Sequence, residues 1–335
     1  MMSKIILPIL LIAFCSCAVE KKEADPGDAT PIYHNNITIA PDLSNRVDMQ
    51  IHPKPVLDIA IIEKFLSDIE PFYIHTNHRT MNQLDQFHLS FINKGLIKLY
   101  NANTSLLEID FASFKNQGDR IAFVKNRAPY ENSGLKEMIV AFKKECNGIY
   151  SRAVENTSGA DIWTYFNKGI GIKHVRPASA PKLYSKEYFQ DRYKNVLVLF
   201  TDGYMESGLS ANAAQGNSRN LSYDLSQSRV KRFRAAFKQS GMDDMEAFFK
   251  ENGYGIVPVN NPYLKDLEVI VMEMYDRSLT DAGNATIHPT DSEILELFWS
   301  DWLTKSGVKR FELHPCFPDV KGANNAIKNF INLDQ

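Results

Sequence analysis

The stretch NVLVLFTDG, residues 195–203, decides the fold class of this chain. It contains the apolar run 196–200 and then stops at Thr201, Asp202 and Gly203. An apolar run of this length that ends in turn-forming residues is typical of a strand covered on both faces of a parallel sheet. Because the carboxyl ends of such strands line ligand crevices, Thr201 and Asp202 are candidate functional residues.

A second apolar segment near the start of the chain ends in the same way. Residues 37–40 read Ile-Thr-Ile-Ala, which is typical of a strand, and the polar stretch PDLSNR, 41–46, follows directly. If both strands lie in one parallel sheet, Asp42, Ser44 and Asp202 meet at its carboxyl edge. Two carboxylates and a hydroxyl are hard oxygen ligands, which suit Mg²⁺, Ca²⁺ or Mn²⁺.

The other segments alternate between helix and strand patterns. The alternation predicts an α/β fold with a Rossmann-like open, mainly parallel sheet and helices on both faces. Pro71 is expected to lie just beyond the first helix, and Thr290 or Asp291 to cap a later one. Helices are predicted at 56–69, 133–150, 159–167, 291–305 and 320–332, and further strands at 86–92, 96–100, 106–111, 267–274 and 310–313.

Residues 206–262 interrupt this alternation and are predicted to form an insertion between two core strands. The segment carries a basic cluster, and its basic side chains either contact an anionic partner or form a solvated helix face offset by nearby acids. The cluster comprises Arg229, Lys231, Arg232, Arg234 and Lys238.

The amino-acid composition limits the class of protein to which the chain can belong. The chain has 335 residues, 44% of them hydrophobic, with 38 Lys and Arg against 40 Asp and Glu. These values are typical of a globular protein of one large or two small domains, and the near-neutral charge indicates no nucleic-acid partner.

The N-terminus has the pattern of a targeting signal. The apolar run 5–14 follows a short basic start and is too short to span a bilayer, which needs about 20 apolar residues. Cys17 follows the small residue Ser16, and this pattern resembles a bacterial lipoprotein signal, 1–17, with Cys17 as the lipidation site. The alternative is a plain secretory signal. The polar residues 18–35 are then expected to form a flexible tether.

Lipidation of Cys17 implies a protein of the bacterial cell envelope that is anchored to a membrane, on either its periplasmic or its surface face. Two further cysteines, Cys146 and Cys316, then lie in an exported domain. They either form a disulfide or remain two free thiols.

The two strand-end motifs together resemble a von Willebrand factor type A domain covering residues 36–332. In that family, an Asp-x-Ser-x-Ser motif and a later Asp form a metal-ion-dependent adhesion site that binds an acidic group of a protein partner. The resemblance assigns Asp42, Ser44 and Asp202 to the metal. It implies a binding module whose cofactor is Mg²⁺, Ca²⁺ or Mn²⁺.

The match to this family is partial. Arg46 stands where the second Ser of the motif is expected, and Ala160 replaces the metal-ligating Thr in the loop TSGADI, 157–162. Arg46 either pairs with Asp42 or Asp202 in place of the cation, or points away and leaves a weak metal site. Four residues are assigned to partner binding around the site: Arg46, Ser158, Asp161 and Thr201.

Three functions remain open. The leading hypothesis is a membrane-anchored, exported module that binds a protein partner through the crevice at the strand ends. The second is a metal-dependent hydrolase using the same carboxylates, although no catalytic motif is readable in the sequence. The third is an envelope scaffold with a decayed site, which contacts partners through Trp299 and Trp302 unless these lie in the core.

Overall fold

The computed structural model describes residues 25–75, 84–206, 220–280 and 282–333. The predicted signal peptide and Cys17 lie outside the described residues. Among the described helices, none has the combination of length and hydrophobicity that crossing a membrane requires.

The sheet confirms the predicted fold class. Six strands lie in the order β3-β2-β1-β5-β8-β9; β3 is antiparallel to β2, the other neighbours are parallel, and β4 pairs with β5 in a hairpin. A separate short pair joins β6 to β7. The strands are β1 Thr30–Pro41, β2 Gln86–Leu89, β3 Glu108–Asp110, β4 Lys182–Tyr184, β5 Glu187–Phe200, β6 Leu221–Ser222, β7 Gly255–Ile256, β8 Leu267–Met274 and β9 Arg310–Pro315.

Helices cover both faces of the sheet, and each face has its own apolar core. Alternate residues of β5 divide between them: Val196 and Val198 enter the core with α1, α4 and α9, whereas Leu197 and Leu199 enter the core with α6, α7 and α8. The helices are α1 Asp58–His75, α2 Gly95–Leu99, α3 Gln117–Val124, α4 Leu135–Glu155, α5 Ile162–Thr164, α6 Gln227–Ser240, α7 Met245–Glu251, α8 Asp291–Lys305 and α9 Val320–Ile331.

Two local predictions are wrong. The predicted strand 96–100 lies mostly in α2, Gly95–Leu99, because β2 already pairs with β1 and β3 and only Leu96 of this helix is buried. The first helix continues through Pro71 to His75. The burial of Tyr73 and its hydrogen bond to Asp85 favour the extra turn over the loss of one backbone hydrogen bond at proline.

The predicted tether 18–35 is too long at its C-terminal end. β1 begins at Thr30, and its first residues pair with residues 189–194 of β5, whose polar pattern gave no strand signal. His34 is buried in this extension, and its Nε2 forms a 2.9 Å hydrogen bond with Asp191 Oδ1. The β1–β5 pairing therefore continues to Thr30 and Phe189, near the N-terminal ends of both strands.

Candidate functional site

The candidate site lies between β1 and β5, where the order of strands changes direction. From β1 the chain proceeds outward to β2, and from β5 it proceeds to β8 on the other side. A crevice opens at the carboxyl ends of two such strands. A pocket of about 280 Å³ occupies this position, and its lining includes Asp42, Ser44, Ala160, Asp202, Glu206, Arg277 and the start of α6 at residues 226–228.

Asp42 joins the ends of the two strands. Its backbone N–H donates to the Phe200 carbonyl over 2.8 Å, and its Oδ2 accepts from the Thr201 hydroxyl over 3.1 Å. Its Oδ1 accepts from the Ser44 backbone N–H over 3.0 Å. Burial raises the pKa of Asp42 to about 6; the Arg46 charge opposes this shift and the Asp202 charge adds to it.

Arg46 turns away from both carboxylates of the pocket. Its guanidinium binds Asp58, the first residue of α1, at 2.5 and 3.1 Å, and Lys54 bonds to the same carboxylate. The expected pairing of Arg46 with Asp42 or Asp202 is therefore wrong: the guanidinium reaches only the Asp42 backbone carbonyl, at 3.2 Å. The planar guanidinium can donate two parallel hydrogen bonds to one carboxylate, and Asp58 allows this bidentate contact.

The pKa of Asp58 lies well below its usual range. Burial alone raises it, but the charges and hydrogen bonds of Arg46 and Lys54 outweigh burial. Sequence reasoning missed Asp58 as the partner of Arg46. The two residues lie twelve positions apart on different elements, and no motif spacing in the sequence marks such a pair.

Asp202 is paired instead with Arg277. The Arg277 guanidinium donates to Asp202 Oδ2 over 2.5 Å and lies over the Tyr204 ring, 4.3 Å from its centre. The backbone N–H of Tyr204 donates to Asp202 Oδ1 over 3.2 Å. Sequence reasoning missed Arg277, although its position three residues after a buried strand, 267–274, placed it at the carboxyl edge of the sheet.

The structure brings only part of the predicted set to the pocket. Asp42, Ser44, Asp202 and Ala160 line it. Thr201 is fully buried and supports Asp42.

The assignment of Arg46 and Thr201 to partner contact does not agree with their burial, since neither side chain reaches the surface. Two assigned residues lie in the adjoining loop. Ser158 is half-buried there, and Asp161 caps α5 through the Thr164 backbone N–H at 2.9 Å.

The donor set fits a metal ion poorly. Arg277 already supplies a positive charge to Asp202, and Ala160 offers no side-chain oxygen. No cluster of three or more His, Cys, Asp or Glu side chains with metal-binding geometry exists in the described part of the chain. The two carboxylates and the Ser44 hydroxyl remain the groups that would hold a hydrated cation.

The predicted basic cluster divides into two groups. Arg229 and Arg234 are buried: Arg229 donates to the backbone carbonyls of Asn220 and Gly255, at 2.7 and 2.6 Å, and Arg234 bonds to Asp291 at the start of α8. These two side chains are structural, which neither of the sequence-based alternatives anticipated. The exposed members are Lys231, Arg232 and Lys238.

Two other open questions are answered by burial and geometry. Trp299 and Trp302 are fully buried, which confirms the core placement and removes them as a partner surface. Trp299 also donates to the Gly203 carbonyl over 2.7 Å and so fixes the turn after β5. Cys146 and Cys316 are both free thiols, so the disulfide alternative is wrong.

Comparison with known proteins identifies no family for this chain. A scan against protein-family models finds no match, and a search of curated proteins finds none. The resemblance to a von Willebrand factor type A domain therefore stays a prediction that rests on the motifs of this chain.

Proposed function

We propose that this chain is a binding module of the bacterial cell envelope, anchored through Cys17, that engages a protein partner through the crevice between β1 and β5. One observation carries the proposal: a polar pocket of about 280 Å³ lies at the carboxyl ends of these strands with Asp42 and Asp202 in its wall. A pocket of this size has room for one polar side chain of a partner protein.

Charge defines the side chain that the pocket favours. Asp42, Asp202 and Glu206 line it, against the single guanidinium of Arg277. An excess of carboxylates attracts a cation, so the partner presents a Lys or Arg side chain that shares Asp202 with Arg277. The hydroxyls of Ser44 and of the start of α6 accept the remaining N–H groups.

A metal-dependent form is the second candidate. The Asp202 charge contributes to the raised pKa of Asp42, and a divalent cation near both carboxylates would offset that repulsion. Asp42, Ser44 and Asp202 would hold Mg²⁺, Ca²⁺ or Mn²⁺, and the partner would then offer an acidic group. The two forms therefore require partner side chains of opposite charge.

Site-specific photo-crosslinking in cells tests the proposal. A photoreactive amino acid is placed at Asn45, which is exposed at the pocket, and in a control chain at Lys144, which is exposed on α4. We expect a cross-linked partner from residue 45 only, and loss of that product when Asp202→Asn is added. Glu246→Gln, which removes an exposed carboxylate on α7, is the matched control and should leave the product unchanged.

Chelation separates the two forms. A product that survives EDTA supports the basic-side-chain form, whereas a product that EDTA removes and Mg²⁺ restores supports the metal-dependent form. A product that is insensitive to Asp202→Asn would place the partner elsewhere and contradict the proposal. Calorimetric titration of the full chain and of Asp42→Ala with the three cations measures metal binding directly.

A further inference from the structure

The β4–β5 hairpin exposes large apolar side chains at its end. Leu183 and Tyr184 are 58% and 59% exposed, and the adjoining Ser185 and Lys186 have φ angles of 49° and 98°. Two consecutive residues with positive φ form the tight two-residue turn that matches the twist of paired strands. These four residues, 183–186, are called the hairpin tip.

The apolar side chains of the hairpin tip lie on both faces of the ribbon. Leu183 is opposite Tyr188 on one face, and the Tyr184 ring lies 6.1 Å from that of Phe189 on the other. A flat protein surface would cover only one of these faces. Insertion of the tip into a surrounding medium covers both, because apolar area is then removed from water on all sides.

The hairpin tip lies where the chain enters the sheet. Thr30, the first residue of β1, pairs with Phe189, two residues after the start of β5. Residues 18–29 separate Cys17 from Thr30, so even a fully extended connection spans at most roughly 45 Å. A lipid on Cys17 would therefore leave the hairpin tip within reach of the bilayer.

We propose that the hairpin tip is a membrane-docking element that inserts into the interfacial region of a phospholipid bilayer. The inference rests on the lipid anchor of the proposed function. Tyrosine favours this region because its ring is apolar and its hydroxyl stays hydrated, and leucine reaches the acyl boundary. Lys186 adjoins these side chains and would face the headgroups with its ammonium group.

The apolar side chains account for most of this docking. Residues 182–192 contain three basic and two acidic side chains, and Lys182 is already paired with Asp191 at 3.1 Å. A single excess positive charge adds little attraction to anionic lipid. Docking is therefore expected to depend weakly on lipid charge and strongly on Leu183 and Tyr184.

Docking of the hairpin tip would orient the crevice. β1 extends over 12 residues from the hairpin to Pro41, just before Asp42, a rise of roughly 40 Å. With its tip in the bilayer, the protein would present the crevice to the aqueous space on the far side of the domain. A partner would then reach Asp42 and Asp202 without approaching the lipid.

Fluorescence quenching by nitroxide-labelled lipid tests the inference. A fluorescent amino acid is incorporated at Tyr184 of the full chain, and in a control chain at Asn45, and each is reconstituted into vesicles of phosphatidylethanolamine and phosphatidylglycerol. We expect loss of most of the fluorescence at residue 184 and no loss at residue 45. When Leu183→Ser is added to the chain labelled at residue 184, most of the quenching should be lost. Circular dichroism checks that this variant is folded.

Membrane attachment is read separately, by vesicle flotation of the full chain and of Cys17→Ser. Flotation that Cys17→Ser abolishes, combined with no quenching at residue 184, would leave the anchor intact and overturn the docking inference. Self-crosslinking through the hairpin tip without quenching would assign the tip to a second copy of this chain and would also overturn it. If Cys17→Ser leaves flotation unchanged, the proposed lipid anchor at Cys17 is contradicted. The cross-link from Asn45 tests partner binding at the crevice and does not depend on either membrane experiment.

Discussion

At the scale of single residues, the most consequential contact is the buried pair of Arg46 and Asp58. Both side chains are almost fully buried, and Lys54 completes a network of two cations and one carboxylate below the crevice. Removing one member of a buried pair leaves an uncompensated charge, whereas replacing both by apolar groups is often neutral. Single substitutions in this pair are therefore expected to destabilise the protein strongly, even if the intact pair adds little net stability.

The first prediction concerns this pair. Arg46→Leu should lower the free energy of unfolding by about 3–5 kcal/mol, because Asp58 is left with Lys54 alone. The triple variant Arg46→Leu/Lys54→Met/Asp58→Leu, which removes all three charges of the network, should recover much of that loss. Urea unfolding followed by circular dichroism measures both, and a loss below about 1 kcal/mol in the single variant would contradict the prediction.

Glu273 is a second unusual residue near the crevice. It is fully buried at the carboxyl end of β8 with a φ of 68°, and its Oε2 has no hydrogen-bond partner among the residues that the structure describes. Burial raises its pKa to about 7, and the Asp58 charge adds to the shift. A non-glycine residue with positive φ stores strain that the surrounding structure must support.

The second prediction follows from the sign of this shift. Because the folded protein holds the Glu273 proton more tightly than the unfolded chain, the contribution of Glu273 to wild-type stability should fall as pH rises from about 4.5 to about 7. Glu273→Gln stays uncharged, so its stability relative to wild type should increase across this window by at most about 3 kcal/mol. Chemical unfolding at several pH values measures the difference, and a pH-independent difference would show that Glu273 ionises freely.

At the scale of elements, the start of α8 shows how a local sequence signal stabilises a helix that packs on the turn after β5. Thr290 accepts from the Glu293 backbone N–H, and the Glu293 side chain accepts from the Thr290 backbone N–H, which forms a capping box. The adjoining Asp291 receives hydrogen bonds from Tyr204 and Arg234. The cap therefore links helix stability to the turn that carries Asp202.

The third prediction tests this cap. Thr290→Ala removes the side-chain acceptor and should lower the free energy of unfolding by about 1 kcal/mol. Thr290→Ser keeps the hydroxyl and serves as the matched control, with a much smaller loss. Thermal and urea unfolding of the two variants give the comparison, and equal losses would show that the methyl group, and not the hydrogen bond, matters here.

At the scale of the whole molecule, stability is concentrated in the central strands. β1, β5 and β8 have a neighbour on each side and helices on both faces, whereas β3 and β9 form the edges of the sheet. The crevice is thus built on the most protected strands, while the hairpin tip lies at the opposite, least covered end of β5. Such an arrangement keeps the pocket rigid when the other end of the sheet contacts a surface.

The fourth prediction is that amide hydrogen exchange follows this order. Residues 196–200 of β5 and 267–272 of β8 should exchange most slowly, through global unfolding, and β3 and β9 should exchange faster through local opening. Mass spectrometry of the full chain measures these rates. Rapid exchange in residues 196–200 would contradict the placement of β5 at the centre of the sheet.

The fold class followed from local patterns because burial on both faces of a strand requires a continuous apolar run. Residues 196–200 and 267–274, together with the amphipathic helices, therefore indicated a parallel α/β sheet before any contact was known. The presence of Asp42, Ser44 and Asp202 at one pocket also followed from their positions at the carboxyl ends of two predicted parallel strands.

Only the tertiary structure decided how the charges are paired and where the polar strand extension ends. Arg46 binds Asp58 and Asp202 binds Arg277 because distant segments bring these groups within hydrogen-bond distance, and separation along the chain carries no record of that distance. Residues 30–35 and 189–194 form strands because each pairs with the other, although neither has the apolar pattern of a strand. Local sequence determines which residues must be buried, whereas long-range pairing determines which partner each polar group finds.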